Sequence, residues 1–490
     1  MSENDTAFYA AFKAKDTRFD GRFFVGIAST GIYCRPVCRA RQPKKENCAF
    51  YRTAAEAEQA GYRPCLLCRP ELAPGVSVTD ATASLVCRAA KMLEENCGSG
   101  QGIDEIARRL GYTDRHLRRV FTAEYHVSPV QYLQTCRLLL AKNLLTDTGL
   151  SVLDVAMAAG FGSLRRFNDL FKKHYRLSPT GLRKQQTKEQ AKGKQQNDGI
   201  TLALGYRPPY RWEPLMNFLA GRAIKGVEVV RDGEYMRTVR LTSNDGNPAL
   251  GWIRVGHKPA QNALRVTLSE TLLPVLSQVL ARIRHLFDLS CNPNAVYDTL
   301  QVMNAIRPGL CVLGTRLPGC FDVFEMMVRA VLGQQITVKA AGTLAARLVN
   351  AYGMPVQIGI EGLTHTFPLP ETLFALGAEI ENHLGALGIP SARSRTIYEL
   401  ARVWTQGETD FGRYAPPEEA MQKLMNIRGI GSWTAQYIAM RALEWPDAFL
   451  ATDAGIKKAL APRAPKELLA MAEAWRPWRS YATINLWNTL

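Results

Sequence analysis

The stretch that decides the fold is residues 424–460, LMNIRGIGSWTAQYIAMRALEWPDAFLATDAGIKKAL. Its segment Arg428-Gly429-Ile430-Gly431 separates the end of one apolar helix from a second helix predicted over residues 432–443. Two glycines this close allow a left-handed backbone and let another molecule approach. The N-terminus of the second helix presents unpaired N–H groups and a partial positive charge, which suit a phosphate. The stretch predicts a helix-hairpin-helix that holds a nucleic-acid backbone without reading bases, and a helix C-cap with a tight turn is the alternative.

A single carboxylate follows this hairpin. Asp453 ends a short apolar run and precedes a short helix predicted over residues 456–460. An aspartate here caps a helix, because its oxygens accept hydrogen bonds from the first free N–H groups. A fixed carboxylate beside a sugar also stabilises the positive charge that develops as a glycosidic bond breaks. The local pattern favours the two roles equally, and one side chain can fill both.

Residues 201–490 resemble the helix-hairpin-helix DNA glycosylases, and among them the alkylation-repair glycosylases of the AlkA type. Besides the hairpin and its spacing to Asp453, four motifs carry the resemblance: Leu286-Phe287-Asp288-Leu289, Arg307-Pro308-Gly309-Leu310, Leu332-Gly333-Gln334-Gln335 and Trp475-Arg476-Pro477-Trp478-Arg479-Ser480-Tyr481-Ala482. The resemblance implies an α+β part followed by a mainly helical part. It also implies that Asp453 is the catalytic carboxylate. At the hairpin itself, we expect Gly429 and Gly431 to let backbone N–H groups, together with a carbonyl-bound monovalent cation, meet one phosphate.

The same resemblance gives roles to five other residues. Trp433, Tyr437 and Trp487 fall on the family's base pocket, where stacking and cation–π contacts attract a flipped, cationic alkylpurine. Ordinary aromatic core is the alternative for each of them. Gln335 and Ile336 fall on the wedge turn, where a side chain fills the gap left by the flipped base. Relatives that also cut the strand place a Schiff-base lysine where this chain has Trp433, so we expect a monofunctional glycosylase without lyase activity.

Two cysteine pairs near the N-terminus have the spacing of a zinc site. Cys34 and Cys38 form the first pair, and Cys65 and Cys68 form the second after an intervening loop. Two close pairs joined by a loop fit a tetrahedral site of four thiolates with one Zn²⁺. Cys48 lies between the pairs without a nearby cysteine, so we interpret it as a bystander.

The residues around these cysteines, 31–41 and 61–65, resemble the N-terminal domain of the Ada methylation-response proteins. The resemblance implies that Cys34 is both a zinc ligand and the acceptor of one methyl group from a DNA methylphosphotriester. A purely structural zinc is the alternative. Basic side chains nearby are expected to hold the flanking phosphates: Arg35, Arg39, Arg41, Lys44 and Lys45.

Two helical segments, residues 103–121 and 152–171, echo each other about fifty positions apart. Each has a short amphipathic helix, a glycine turn and a basic second helix, and each is followed by Ser-Pro. This is the pattern of a helix-turn-helix. The repeat resembles the AraC family of transcription activators, and a helical spacer with a solvated basic face is the alternative. The candidate DNA contacts are Thr113, Arg115, His116, Arg118 and Arg119 in the first unit, and Ser163, Arg165, Arg166 and Asn168 in the second.

Composition agrees with a polyanionic partner. Among 490 residues, 61 Lys and Arg against 44 Asp and Glu give a net charge of +17, which favours DNA. The sequence has no run of 18 apolar residues and no signal-peptide core, so we expect no membrane and a cytoplasmic, nucleoid-associated protein. Residues 183–198 contain almost no apolar side chain, which predicts a flexible tether that lets the two halves act on separate DNA segments.

The predicted architecture is multidomain. We expect a small α+β zinc domain at residues 1–78, an all-α double helix-turn-helix domain at 80–185 and a linker at 186–199. A mixed subdomain at 200–288 and a helix-hairpin-helix glycosylase domain at 289–490 complete the chain. The expected partners are double-stranded DNA carrying alkylated bases, methylphosphotriesters or promoter sites, and RNA polymerase.

The first functional hypothesis is DNA alkylation repair combined with an adaptive transcriptional response. The enzyme would excise alkylated purines of the 3-methyladenine type, and methyl transfer to Cys34 would activate sequence-specific transcription. The alternative is a transcription regulator whose glycosylase half is vestigial.

Overall fold

The computed structural model describes residues 8–9, 11–13, 15, 20, 23–70, 84–98, 102–189, 199–243, 245–407 and 417–490. Most of the predicted linker, residues 190–198, lies outside the described residues.

The N-terminal region is built on a short four-stranded sheet. Its strands are β1 (Phe24–Ile27), β2 (Ile32–Cys34), β3 (Cys48–Tyr51) and β4 (Arg63–Pro64), in the order β3-β1-β2-β4. The β3-β1-β2 pairs are antiparallel and the β2-β4 pair is parallel. One helix, α1 (Ala54–Gln59), packs on this sheet and is capped by the Thr53 hydroxyl, which accepts from the N–H of Glu56. The predicted small α+β domain is confirmed.

The next region is the predicted helical repeat. The first unit contains α2 (Ser84–Glu95), α3 (Ile103–Arg109) and α4 (Asp114–Tyr125), and α5 (Pro129–Asp147) joins it to the second. The second unit contains α6 (Val152–Ala158), α7 (Leu164–Tyr175) and α8 (Pro179–Glu189). The turn glycines Gly111 and Gly160 both have φ of 82°, a conformation that favours glycine. Each Ser-Pro tail starts a helix, and the Ser128 hydroxyl caps α5.

The C-terminal half begins with an antiparallel sheet, which agrees with the mixed subdomain expected at residues 200–288. Its strands are β5 (Ile200–Gly205), β6 (Glu228–Arg231), β7 (Glu234–Thr242), β8 (Pro248–Lys258) and β9 (Ala263–Leu268), in the order β5-β9-β8-β7-β6. Helix α9 (Trp212–Ala220) lies between β5 and β6 in the chain. The sequence favours one long helix over residues 273–287, but the structure divides this stretch. A 3-10 turn, Glu270–Val275, contains Pro274 and precedes α10 (Leu276–Leu286), because proline cannot donate a helical hydrogen bond.

The remaining helices form the mainly helical part. They are α11 (Pro293–Leu300), α12 (Val323–Leu332), α13 (Val338–Tyr352), α14 (Pro370–Phe374), α15 (Ile380–Gly385), α16 (Ser391–Thr405), α17 (Pro417–Met425), α18 (Ser432–Ala442), α19 (Ala454–Ala459), α20 (Pro465–Ala472) and α21 (Arg479–Trp487). Within the described ranges, no helix has both the length and the apolar character needed to span a bilayer.

Two hydrophobic cores meet at helix α18. One core contains the sheet and the C-terminal helices, including Met440, and the other contains α12, α13 and α16 with Ala435 and Ile438. The ring of Tyr437 packs against both cores. Helix α18 therefore places its side chains at the seam between the two parts of the C-terminal half.

The two halves of the chain also share a core, which the predicted tether does not suggest. Leu138, Phe167 and Leu182 of the helix-turn-helix region belong to the same buried cluster as Leu202 and Leu204 of strand β5. The expectation that a flexible linker leaves the halves independent is therefore wrong for this structure. Burial of apolar side chains from both halves holds them together, and the sequence of the linker carries no information about that contact.

Candidate active site and metal centre

Asp453 lies at the N-terminus of α19 and is held by four N–H groups. Its Oδ1 accepts hydrogen bonds from the backbone N–H groups of Gly455 (2.9 Å) and Ile456 (3.1 Å) and from Trp487 Nε1 (2.9 Å). Its Oδ2 accepts from Trp433 Nε1 at 3.3 Å. The side chain is half-buried. Asp453 therefore caps α19, as one of its two predicted roles requires. The same contacts hold both carboxylate oxygens in fixed positions, as a catalytic carboxylate also requires.

The three predicted pocket aromatics are brought together beside this carboxylate. Trp433 and Tyr437 lie one helical turn apart on α18, and their rings stack with centroids 5.3 Å apart and planes at 7°. The Trp487 ring from α21 is 6.4 Å from that of Tyr437. All three rings are half-buried at the seam between the two cores. The Trp487 ring is tilted by 47° to that of Tyr437, so the three rings form an aromatic cluster whose faces can stack on a planar base.

Two residues that sequence analysis missed complete this cluster. The Phe218 ring of α9 lies 6.2 Å from the Trp487 ring with planes at 17°. The Arg222 guanidinium carbon lies 3.7 Å from the Phe218 ring centroid and 5.8 Å from that of Trp487. Neither residue has a local sequence signal, because both reach the site across more than two hundred positions of the chain.

Charge at the seam is dominated by arginines. Arg441 Nη1 donates a hydrogen bond to the Tyr437 hydroxyl at 2.9 Å. Burial alone would raise the pKa of Tyr437, but the nearby cations of Arg441, Arg222 and Arg329 outweigh it and hold that pKa below its ordinary value. The phenol is therefore a hydrogen-bond acceptor for a fixed guanidinium.

The two hairpin glycines have different tasks. Gly429 has φ of 95°, and an added Cβ would come within 2.0 Å of Thr396 Oγ1, so only glycine fits. Gly431 has φ of −92° and is the N-cap of α18, so the predicted left-handed backbone is wrong for it. Among the described residues, no heavy atom lies within 4 Å of a Cβ added at Gly431. That position supplies the open approach to the helix N-terminus.

The predicted wedge turn joins α12 to α13 and projects outward. Gln335 has φ of 54° and is exposed, and Ile336 keeps 36% of its surface accessible. The neighbouring Gln334, which sequence analysis did not single out, donates from Nε2 to the carbonyl of Gly429 (2.9 Å) and to the Thr434 hydroxyl (3.0 Å). Gln334 therefore links the wedge turn to the hairpin through two hydrogen bonds.

The four predicted zinc ligands converge. The Sγ atoms of Cys34, Cys38, Cys65 and Cys68 all lie within 4.8 Å of one another, and tetrahedral zinc thiolates lie about 3.8 Å apart. Hydrogen bonds with the other three thiols, together with burial, raise the pKa of Cys34, and a divalent cation reverses that balance by favouring thiolates. The four cysteines therefore form a zinc site. Cys48 lies apart, with its Sγ 3.4 Å from the carbonyl of Lys44.

One predicted phosphate contact is wrong. Arg35 is buried at 6% exposure and forms an ion pair with Asp20, so its guanidinium is not available to DNA. Its position directly after Cys34 turns the side chain inward, against the metal centre. Three of the other basic side chains remain exposed beside the site, and Lys45 is half-buried: Arg39, Arg41, Lys44 and Lys45.

The candidate DNA contacts of the helical repeat lie on the outer faces of α4 and α7. Arg115, Arg118, Arg119, Arg165 and Arg166 are exposed, while His116 and Asn168 are partly exposed. Thr113 and Ser163 act as N-caps, because their hydroxyls accept from the N–H groups of His116 and Arg166. Arg118 also pairs with Asp114 at 2.7 Å. Both second helices thus present basic side chains outward, as major-groove recognition requires.

Comparison with known proteins agrees with all three regions. Residues 7–71 match the metal binding domain of Ada, residues 106–185 match a helix-turn-helix domain, and residues 201–322 match the AlkA N-terminal domain. DNA-3-methyladenine glycosylase 2 of Escherichia coli is 37% identical over 58% of this chain and 96% of its own length. The bifunctional transcriptional activator/DNA repair enzyme Ada of Escherichia coli is 34% identical over 30% of this chain and 40% of its own.

A relative from Mycobacterium tuberculosis matches nearly the whole chain. This probable bifunctional transcriptional activator/DNA repair enzyme AlkA is 38% identical over 98% of the present chain and 96% of its own length. The match therefore includes the zinc centre, both helix-turn-helix units and the C-terminal half in one alignment. The chain belongs to the family of bifunctional transcriptional activator/DNA repair enzymes AlkA.

Proposed function

We propose that this protein is a monofunctional DNA-3-methyladenine glycosylase joined to a methyl-accepting transcriptional activator. The observation that carries the glycosylase assignment is the geometry of Asp453. Indole N–H groups hold both of its oxygens, and its carboxylate lies beside the rings of Trp433, Tyr437 and Trp487, where a flipped base would lie. The DNA-3-methyladenine glycosylase 2 of Escherichia coli, 37% identical over 58% of this chain, supports the same assignment.

The base must leave the duplex before it can react. In the proposed complex the α18 N-terminus at Gly431 contacts one phosphate, aided by a carbonyl-bound monovalent cation, and the Gln335-Ile336 turn fills the gap in the stack. The alkylated purine stacks on Trp433, Tyr437 and Trp487, since a cationic base is attracted to aromatic faces by about 0.5–2 kcal/mol. The tie from Gln334 to the hairpin keeps the wedge and the phosphate contact at a fixed spacing.

During cleavage of the glycosidic bond, the bonding electron pair moves into the base. The bond from the sugar carbon to the purine nitrogen breaks, the base leaves as a neutral molecule, and positive charge develops on the sugar. The Asp453 carboxylate stabilises this charge and orients the water that adds to the sugar, and the proton that this water loses passes to solvent. An alkylated purine is already a good leaving group, so no strong acid is needed. Trp433 lies in place of a Schiff-base lysine, so the strand stays intact.

The zinc centre is proposed to accept a methyl group at Cys34. When bound, zinc keeps the four cysteines as thiolates. Cys34 Sγ attacks the methyl carbon of a methylphosphotriester, the carbon–oxygen bond breaks, and the phosphate keeps the electron pair as an ordinary phosphodiester. Cys34 ends as a methyl thioether. Loss of one negative charge favours binding of the whole protein to promoter DNA, where the helix-turn-helix units read the sequence and the protein recruits RNA polymerase.

One experiment tests both halves of this proposal. The pure protein is incubated with methylated duplex DNA, and the released bases, the strand integrity and the mass of the Cys34 peptide are measured. Release of 3-methyladenine from uncut strands and a methyl group on Cys34 are expected. Absence of released base would indicate a vestigial glycosylase half, and an unmodified Cys34 would indicate a purely structural zinc.

A further inference from the structure

A buried ion pair between Arg35 and Asp20 lies against the zinc centre. Arg35 follows Cys34, and its Nε donates to Asp20 Oδ1 at 2.9 Å. Its backbone N–H donates to Cys68 Sγ and its Nη1 to the Cys68 carbonyl, both at 3.3 Å. Arg35 therefore links the first cysteine pair to the second, and Asp20 fixes the orientation of Arg35.

The C-terminal half supplies the support for Asp20. Arg207, just beyond strand β5, donates from Nε to the backbone carbonyl of Asp20 at 3.0 Å and is only 1% exposed. Arg207 is itself anchored in its own half, because its carbonyl accepts from Arg316 Nη2, which also donates to Pro209 O at 3.0 Å. A buried side chain from the glycosylase half thus reaches Asp20, the partner of Arg35 beside the metal centre.

A second contact from the same strand reaches the other cysteine pair. Arg69 follows Cys68 and pairs with Asp147 Oδ1 of helix α5 at 2.7 Å. The other oxygen of Asp147 accepts from the backbone N–H of Ala203 in β5 at 3.4 Å. Strand β5 and its extension therefore support the centre on both sides, beside Cys34 through Arg207 and beside Cys68 through Asp147.

We propose that Arg207 of the glycosylase half is a positioning residue of the methyl-accepting zinc centre. It acts through Asp20 and Arg35 on the spacing and orientation of Cys34 and Cys68. Methyl transfer needs the Cys34 sulfur in line with the breaking carbon–oxygen bond, and a loosened frame reduces the fraction of molecules in that geometry. The expected effect on methyl transfer depends on the proposed methyl acceptance at Cys34. The expected effect on zinc, slower release when Arg207 is present, is independent of methyl acceptance.

The test uses the full-length zinc-loaded protein and three variants. Arg207→Met removes the donor to Asp20, Arg207→Lys retains a donor, and Arg211→Met is the matched control. Arg211 lies on the same segment, and its loss changes the net charge equally. Three rates are measured: zinc release to a chromogenic chelator, methylation of Cys34 by peptide mass in excess zinc, and release of 3-methyladenine.

Arg207→Met is expected to release zinc about tenfold faster and to accept the methyl group about tenfold more slowly, as loss of one hydrogen bond from a charged group implies. Arg207→Lys should recover part of both rates, and Arg211→Met should match the wild type. Excision of 3-methyladenine should stay within about twofold in every variant. Zinc release and methylation in Arg207→Met equal to those of Arg211→Met would overturn the proposal.

A second variant keeps the test decisive if Arg207→Met does not fold. Asp20→Asn keeps the backbone carbonyl that accepts from Arg207 but weakens the ion pair with Arg35, through which Arg207 is proposed to act, so it is also expected to speed zinc release several-fold. Unchanged zinc release in Asp20→Asn would then overturn the proposal. If the wild type shows no methyl group on Cys34, methyl acceptance fails as a function, and zinc release alone decides the role of Arg207.

Discussion

Replacing Asp453 by asparagine separates the two roles of this residue. Asparagine is as good an N-cap as aspartate, so the bonds from Gly455 and Ile456 to Oδ1 can remain. The contact of Trp433 Nε1 with Oδ2 at 3.3 Å is lost, since an amide nitrogen cannot accept it. The cost in free energy of unfolding is therefore about 1 kcal/mol.

The effect on catalysis should be much larger than the effect on folding. A carboxylate about 4 Å from a full positive charge, at an effective dielectric constant of about 20, contributes about 4 kcal/mol. That corresponds to about a thousandfold in the rate of bond cleavage. The neutral amide of Asp453→Asn retains only a small part of this stabilisation. Binding to abasic-site DNA should persist, because the hairpin contacts do not use the carboxylate.

The assay is single-turnover release of 3-methyladenine from methylated duplex DNA, with thermal unfolding measured in parallel. Asp453→Ala is the matched comparison, since it removes both the charge and the cap and should lose about 1 kcal/mol more stability. If Asp453→Asn excises within tenfold of the wild type, the carboxylate is a cap and not the catalyst.

Three further predictions follow from the described geometry. Gly431→Leu should weaken binding to DNA of every sequence alike, because the leucine side chain blocks the open N-terminus of α18, whereas the control Gly342→Leu on α13 should leave binding unchanged. The measurement is an anisotropy titration with two duplexes of unrelated sequence, and weaker binding to only one of the two duplexes would contradict the prediction. Methylation of Cys34 should raise promoter affinity by roughly a hundredfold at low salt. Methylation removes one negative charge, and the repulsion between that charge and a phosphate about 6 Å away, at a dielectric constant of about 20, is about 2.8 kcal/mol. Equal promoter affinities before and after methylation would exclude this electrostatic effect. Burial raises the pKa of Asp288 from 3.8 to about 6, so the folded state binds this proton more tightly than the unfolded state does. The stability that the bound proton contributes is complete below about pH 4 and is lost as pH rises through 6. Asp288→Asn should therefore reduce the change in the free energy of unfolding across this pH range, as measured by chemical denaturation.

Local patterns in the sequence were sufficient for the parts of the site that lie within one segment. The spacing of Cys34, Cys38, Cys65 and Cys68 predicts a metal centre because two short loops bring each pair together. Likewise, Asp453 before a short helix predicts a cap, and the structure shows that cap.

Contacts between distant segments could not be predicted in this way. Phe218 and Arg222 join the aromatic cluster only because α9 packs near α21, and no local pattern records that packing. Arg35 looks like a surface phosphate ligand until the fold places Asp20 beside it. The expectation that a flexible tether leaves the two halves independent was also wrong, because the composition of a polar linker gives no information about the surfaces of the regions that it joins. These outcomes depend on packing between segments far apart in the chain.

The core shared by the helix-turn-helix region and strand β5 has a consequence for how the molecule melts. Independent modules on a tether would give separate heat-absorption peaks in scanning calorimetry, each with its own midpoint. Here Leu138 and Phe167 are buried with Leu202 and Leu204, so the second helix-turn-helix unit cannot unfold without exposing apolar surface of the sheet. These two regions should absorb heat in one peak, with a calorimetric enthalpy equal to the van't Hoff enthalpy.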